Sequence, residues 1–93
     1  MRNYEAVFIF LPEDESYKSG LEAVKEELKK AEAVISKEDD MGTRELAYPI
    51  KKETRAHYYC FYAEIKPEAI IGIEKAVKLN KNVLKYLFVR KDD

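Results

Sequence analysis

Apolar and polar residues alternate in four stretches of the chain and recur at spacings of three and four in two others. Alternation places every second residue on one face of a strand, whereas the longer spacings mark one face of a helix. The pattern predicts strands over residues 3–11, 34–52, 56–66 and 83–91. It predicts helices over about 16–33 and 67–78. The first helix could begin as late as Gly20, because Ser19 and Glu22 have the spacing of a capping box.

Each predicted element has one face suited to burial. The expected core side chains are Tyr4, Ala6, Phe8 and Phe10 in the first strand, Tyr17, Leu21, Val24, Leu28 and Ala31 in the first helix, Tyr59, Phe61, Ala63 and Ile65 in the third strand, and Ile70, Ile73 and Val77 in the second helix. Pro67 suits the first turn of that second helix, and Gly72 weakens its interior.

The order of these elements predicts the fold. Strand, helix, strand, strand, helix, strand is the split βαβ plan, an α+β fold of the ferredoxin-like class. Right-handed crossovers then give a four-stranded antiparallel sheet of order 4-1-3-2, with both helices on one face. The chain is expected to form a single domain over residues 1–93.

The opposite sheet face is predicted to carry no covering layer. The side chains expected there are Val7, Ile9, Tyr58, Cys60, Tyr62, Leu87 and Val89. Apolar patches of this size usually mark an interface with another molecule.

The least generic stretch runs from Asp40 to Ile50. Gly42 within a strand pattern predicts a bulge, and Pro49, which has no amide hydrogen to donate, predicts an edge strand. Beyond the glycine, one face of the strand should carry Arg44, Leu46, Tyr48 and Ile50. A kinked edge can serve as a docking site or simply prevent sheets from pairing edge to edge. Physical reasoning alone favours the second interpretation.

Charge is nearly balanced but unevenly distributed. The net charge is −1, yet residues 1–40 hold 11 acidic and 6 basic residues, and residues 41–93 hold 7 acidic and 11 basic ones. The predicted topology brings Arg2, Arg90 and Lys91 together at one end of the sheet. At the other end it gathers Lys51, Lys52, Arg55, Lys81 and Lys85. Each group could neutralise a few phosphates.

Candidates for catalysis or metal binding are few. The single cysteine, Cys60, has no partner for a disulfide or a metal motif, and the single histidine, His57, has no acid pair nearby in sequence. The three carboxylates at 38–40 are interpreted as a solvated stretch, and the isolated glycines form no phosphate loop. We therefore expect no enzymatic activity, no metal, no cofactor and no small-molecule substrate. Without a signal sequence or a membrane-spanning run, a cytoplasmic protein with no membrane partner is expected.

The run Gly-Thr-Arg-Glu-Leu-Ala-Tyr-Pro-Ile at 42–50 closely resembles the signature of a known family. This is the S-six family of bacterial small-subunit ribosomal proteins, in which a glycine is followed by two basic residues, a variable one and Leu-Ala-Tyr-Pro-Ile. The start at 1–5, Lys52 followed by residues 56–58, and the end at 89–91 are also similar. Thr43 stands where the family usually has an arginine, and Met41 where an aromatic residue is common.

The resemblance implies a structural ribosomal protein rather than an enzyme. It implies binding to the central domain of small-subunit ribosomal RNA, together with the neighbouring protein S-eighteen as a heterodimer. A basic partner would supply the charge that a near-neutral protein lacks. The residues expected to contact RNA are Arg2, Arg90 and Lys91, followed by Arg44, Lys51, Lys52 and Arg55. Those expected to contact the protein partner are Val7, Ile9, Leu46, Tyr48, Tyr58 and Tyr62.

Two other functions fit the same pattern. Tyr58 and Tyr62 on the open face could stack bases, as in a single-strand RNA-binding module. The first strand, however, offers only Glu5, Val7 and Ile9 on that face. A small regulatory domain that oligomerises through its sheet is the third possibility.

Overall fold

A computed structural model describes residues 1–91 of the chain. The elements are β1 (Arg2–Phe10), α1 (Asp14–Lys30), β2 (Val34–Ile50), β3 (Glu53–Ile65), α2 (Pro67–Lys78) and β4 (Val83–Lys91). The predicted order of elements is confirmed, and the predicted bounds of α2 and β4 match those observed. Within the described range, no helix is both long and apolar enough to span a membrane.

The sheet has the predicted topology. Its strand order is β2-β3-β1-β4, and β1 pairs antiparallel with both β3 and β4. In this register Val7 lies between Cys60 and Leu87, and Phe8 lies between Tyr59 and Tyr86. In the described part of the chain β2 pairs only with β3, so it is an edge strand, as Pro49 predicted.

The core lies between the helices and one face of the sheet. Ala6, Phe8 and Phe10 of β1 are fully buried, and they pack with Val24 and Leu28 of α1. The other core members include Phe61, Ala63, Ile65, Ile73, Val77 and Val83. Phe8 meets the rings of Phe61 and Phe88 edge to face, each with a centroid separation of 5.8 Å. Such geometry adds about 0.5–1.5 kcal/mol per aromatic pair beyond area burial.

Both ends of α1 differ from the prediction. The helix begins at Asp14 rather than about Ser16 or Gly20, since the Tyr17 amide already donates to the Glu13 carbonyl at 2.8 Å. The predicted capping box at Ser19 is therefore wrong, because Ser19 lies inside the helix. Asp14 and Glu15 instead place negative charge in the first turn, where the helix dipole favours it.

The helix ends at Lys30 rather than at residue 33 because Glu32 adopts a left-handed conformation, with φ of 57°. The Ala33 amide donates to the Leu28 carbonyl and the Glu32 amide to the Lys29 carbonyl, both at 3.0 Å. This is the hydrogen-bond pattern of a Schellman motif. The usual sequence signal for the motif is a glycine, and a glutamate occupies that position here.

The predicted turn over residues 51–55 is shorter in the structure. Ile50 pairs with Glu53, so only Lys51 and Lys52 form the loop and β3 begins at Glu53 rather than Ala56. Their φ angles are 49° and 70°, as in a type I′ turn. Two lysines are unusual in this turn, which normally selects asparagine and glycine, so residue type gave no signal for it.

Two glycines in helices give opposite predictions for substitution by alanine. A Cβ on Gly20 would lie 2.8 Å from Cδ1 of Phe10 and 3.0 Å from Cβ of Asn82, whereas one on Gly72 would meet nothing within 4 Å. We expect Gly72→Ala to raise the free energy of unfolding by about 0.5–1 kcal/mol. Gly20→Ala should lower it by about 1–2 kcal/mol, since overpacking outweighs the gain in helix propensity. Urea unfolding of both variants tests this, and a stabilising Gly20→Ala would contradict the close packing of α1 on β1.

Candidate nucleic-acid and protein interface

The sheet face opposite the helices carries the predicted apolar side chains without a covering element. Leu87 is 57% exposed and Val89 38% exposed. Val7, Ile9, Tyr58 and Tyr62 are half-buried on the same face, where Ile9 pairs with Tyr58 and Glu5 with Tyr62. We call Val7, Ile9, Tyr58, Tyr62, Leu87 and Val89 the open face. None of these side chains belongs to the core between sheet and helices.

Cations from the edge strand lie over both open-face tyrosines. The Arg44 guanidinium carbon is 5.9 Å from the centroid of the Tyr58 ring, and Lys37 Nζ is 5.4 Å from that of Tyr62. Both distances fall within the range of cation–π attraction. One face of each ring is thus already occupied, which reduces the area available for a stacked base.

Cys60 lies at the centre of the open face but is only 2% exposed. Burial, with the nearby Glu5 carboxylate, raises the pKa of the Cys60 thiol. A neutral thiol is a poor nucleophile and a poor metal ligand. Within residues 1–91, no group of three or more histidine, cysteine or acidic side chains is placed to hold a metal ion.

The first basic group lies where the topology predicted it. Asn3 pairs with Lys91 and Tyr4 with Arg90, which brings the start of β1 beside the end of β4. Arg2, Arg90 and Lys91 are all exposed. Lys91 Nζ is 3.0 Å from Glu5 Oε2, so part of its charge is balanced within the protein.

The hairpin bases are separated by the shape of the turn. Arg55 lies opposite Glu45 within the β2–β3 ladder, whereas Lys51 and Lys52 form the tip. Lys51 reaches a cavity that is also lined by Lys78 and Lys85. Lys78 is not among the residues predicted from sequence; its position in the last turn of α2, one loop before β4, was the available signal.

The edge strand is far less regular than its alternating sequence suggested. Gly42 has a φ of 78°, and the register shifts between Asp40 and Gly42, which confirms the predicted bulge. A further shift follows Ile35, and a third separates Glu45 from Ile50. In that last interval the residues at 46–49 have no ladder partners within residues 1–91, so pairing with β3 does not fix the face expected for Arg44, Leu46, Tyr48 and Ile50. Leu46 is half-buried, but Tyr48 is 83% exposed.

His57 has an acidic partner that its neighbours in the sequence do not indicate. Its Nε2 lies 2.6 Å from Asp40 Oδ1, and its ring stacks on Tyr17 with a centroid separation of 3.6 Å. The same Asp40 oxygen accepts a hydrogen bond from the Gly42 amide at 3.0 Å, and the Tyr17 hydroxyl donates to Oδ2 at 3.4 Å. Asp40 therefore links β2, β3 and α1 at the bulge. Asp40 and His57 lie 17 positions apart in the sequence, and the pairing of β2 with β3 brings them together.

This cluster shifts the titration of its members. The hydrogen bond from His57, followed by that from Gly42, lowers the pKa of the Asp40 carboxyl. Burial, together with the Asp40 charge, raises the pKa of Tyr17 to about 12. Next to the Asp40 cluster, the Tyr59 hydroxyl donates a hydrogen bond to Glu38 Oε1 at 2.7 Å, and Lys25 Nζ is 3.4 Å from the same oxygen. The carboxylates of Glu38 and Asp40 are thus structural partners rather than a merely solvated run.

Comparison with known proteins identifies the family. Residues 3–90 match the family model described as Ribosomal protein S6. The chain belongs to the ribosomal protein S6 family. It is 41% identical over 93 residues to small ribosomal subunit protein bS6 of Treponema denticola, with full coverage of both chains. It is 39% identical over 94 residues to bS6 of Helicobacter acinonychis, and there it spans 66% of the relative's length.

A solved structure of the same family agrees with this assignment. The crystal structure of 30S ribosomal protein S6 from Thermotoga maritima matches with a TM-score of 0.88 at 26% identity, covering 97% of this chain and 87% of that one. The C-terminal domain of the MgtC protein from Mycobacterium tuberculosis matches with a TM-score of 0.66 at 8% identity, covering 98% and 88%. That second likeness shows the fold alone. Family membership makes the chain a protein of the small ribosomal subunit, in agreement with the predicted cytoplasmic location.

The Asp40 cluster predicts a pH-dependent contribution to stability. Because the folded-state pKa of Asp40 lies below its unfolded value, its contribution is present above about pH 4 and is lost as the pH falls through the folded pKa. We expect Asp40→Asn to lower the free energy of unfolding at pH 7 by about 1 kcal/mol, a figure discounted for the partial exposure of the carboxylate. The deficit should shrink toward pH 2.

Asp39→Asn is the matched control, because the Asp39 carboxylate makes no hydrogen bond or ion pair within residues 1–91, while its backbone pairs with Cys60 in the ladder. Denaturant unfolding from pH 2 to 7 measures both variants. Equal losses for Asp39→Asn and Asp40→Asn, or a deficit independent of pH, would contradict the assigned role.

Proposed function

We propose that this protein is a structural component of the small ribosomal subunit that binds the central domain of its RNA as a heterodimer with S-eighteen. The observation that carries the proposal is the open face, an apolar surface on a protein whose helices already cover the other side of the sheet. Uncovered apolar area of this kind is typical of a protein interface. The family resemblance supplies the identity of the partner.

The charge distribution supports joint rather than independent binding of RNA. A net charge of −1 gives the chain little general attraction to phosphate. Arg2, Arg90 and Lys91 nevertheless gather at one end of the sheet, next to Val89 of the open face. A partner seated on that face would lie beside these cations, and the two proteins would present one continuous surface to RNA.

The edge strand is the second part of the proposed protein contact. Tyr48 is a large, exposed aromatic side chain, and the segment at 46–49 in which it lies has no ladder partners among the described residues. Arg44, the remaining basic residue of the signature, is held over Tyr58 at the border of the open face. The segment at 46–49 is therefore free to form contacts outside its own sheet. We assign no enzymatic activity and no cofactor to this arrangement.

Chemical footprinting of small-subunit ribosomal RNA tests the proposal. The protein alone should give little protection, whereas the protein with S-eighteen should protect a defined set of central-domain nucleotides. Strong protection by this protein alone, independent of sequence, would contradict the heterodimer. Absence of protection with both proteins would contradict the RNA role.

Replacing Tyr58 and Tyr62 with leucine separates a protein contact from base stacking. Leucine keeps the apolar character of the open face but removes the aromatic surface on which a base would stack. We expect binding of the heterodimer to RNA to change less than about threefold. A stacking module would lose about 1–3 kcal/mol per base, or at least fivefold in affinity per tyrosine. Gel-shift titration at fixed salt measures the difference.

A further inference from the structure

A cavity of about 220 Å³ lies at the end of the sheet opposite the Arg2 group. Lys51 contributes from the β2–β3 turn, Lys78 from the last turn of α2, and Lys85 and Tyr86 from β4. Its apolar base includes Val77 and Val83, both buried. Three different elements thus each contribute a lysine to the lining of one concave site. We call this site the lysine cavity.

Among residues 1–91, no carboxylate lines the lysine cavity. Within residues 1–91, none of its three lysines forms an ion pair or a side-chain hydrogen bond, although Lys18, Lys25, Lys30 and Lys91 all pair with acids. Like charges that share a site repel one another. In a chain with more acidic than basic residues, three unbalanced cations around one cavity indicate an anionic ligand.

The geometry of α2 shows which groups would hold that ligand. The carbonyl of Ala76 accepts a hydrogen bond from the amide of Leu79, and that of Val77 accepts one from the amide of Asn80. These two carbonyls at the end of the helix therefore have partners within the chain. The negative end of the helix dipole disfavours an anion, and the basic residues of its last turn offset this effect. Attraction must therefore come from the three ammonium groups. Lysine acts as a point charge that suits phosphate without reading base sequence.

We propose that the lysine cavity binds a backbone phosphate of ribosomal RNA. This inference rests on the proposed function and adds Lys78 and Lys85 to its contacts. The site lies at the far end of β1 from Arg2, and a strand of nine residues spans about 30 Å. The protein would thus hold two separate segments of RNA at opposite ends of its sheet, rather than one.

The salt dependence of RNA binding tests this inference. The variant K51Q/K78Q/K85Q removes the three charges from exposed positions, and K18Q/K25Q/K29Q on α1 is the control with the same charge change. Each lost phosphate contact lowers the slope of log affinity against log salt by about 0.7–0.9. Because the cavity is proposed to hold one phosphate, we expect the cavity variant, with S-eighteen present, to lower the slope by about 0.7–0.9 and the control to leave it unchanged. Equal slopes for the cavity variant and wild type would overturn the inference.

A titration of the ¹⁵N-labelled protein with inorganic pyrophosphate tests the cavity separately from RNA. Saturable shifts of the amide resonances at Lys78, Lys85 and Tyr86, absent in the cavity variant, are expected. Uniform or unsaturable shifts would show that no anion site exists. If pyrophosphate binds but the RNA slope is unchanged, RNA is excluded as the source of the phosphate. If wild type with S-eighteen fails to bind RNA at all, the proposed function fails, and the titration alone decides whether the cavity holds anions.

Discussion

Burial of only one face of the sheet is the constraint on which the rest of this structure depends. Two helices are enough to cover the alternating core residues of β1 and β3, and Phe8, Phe10 and Phe61 fill the space between these layers. No further element of the described chain is left for the other face. Val7, Leu87 and Val89 therefore remain partly in water. Exposure of this apolar area to water is unfavourable in free energy for the free protein, and a partner that covers the face would remove that exposure.

The edge strand shows a second consequence of the same layout. β2 has 17 residues, and its three register shifts interrupt the row of free backbone groups that an edge exposes. Such interruptions protect against unwanted pairing between sheets. The shift at Gly42 is also fixed in place, because Asp40 bonds to the Gly42 amide and to His57. An irregular edge whose bulge is fixed by side-chain hydrogen bonds suits a specific contact better than a general one.

Much of the fold followed from the alternation of residues, because one-sided burial imposes period two on strands and periods near 3.6 on helices. Pro49 predicted an edge strand and Gly42 predicted a bulge, and both predictions are confirmed. The wrong predictions concern segments in which a residue adopts a conformation that is unusual for its type. Glu32, Lys51 and Lys52 adopt positive φ angles without being glycine, so the end of α1 and the turn after β2 gave no local signal.

The candidate sites were harder to predict because they depend on contacts between distant segments. The Asp40–His57 bond joins two strands, and nothing in the spacing of these residues along the sequence indicated that they would meet. Lys78 was overlooked because its relation to Lys51 arises only when the hairpin tip reaches the end of α2. The first basic group was easier to place, since strand order and register alone bring Arg2 beside the end of β4.

The central claim is that the open face seats the protein partner. Mapping of amide chemical shifts in the ¹⁵N-labelled protein, with unlabelled S-eighteen added, tests it most directly. We expect the largest changes to fall on Val7, Ile9, Leu87 and Val89 and on the edge segment at 46–49. Changes confined to the outward surfaces of α1 and α2, with the open face unaffected, would contradict it.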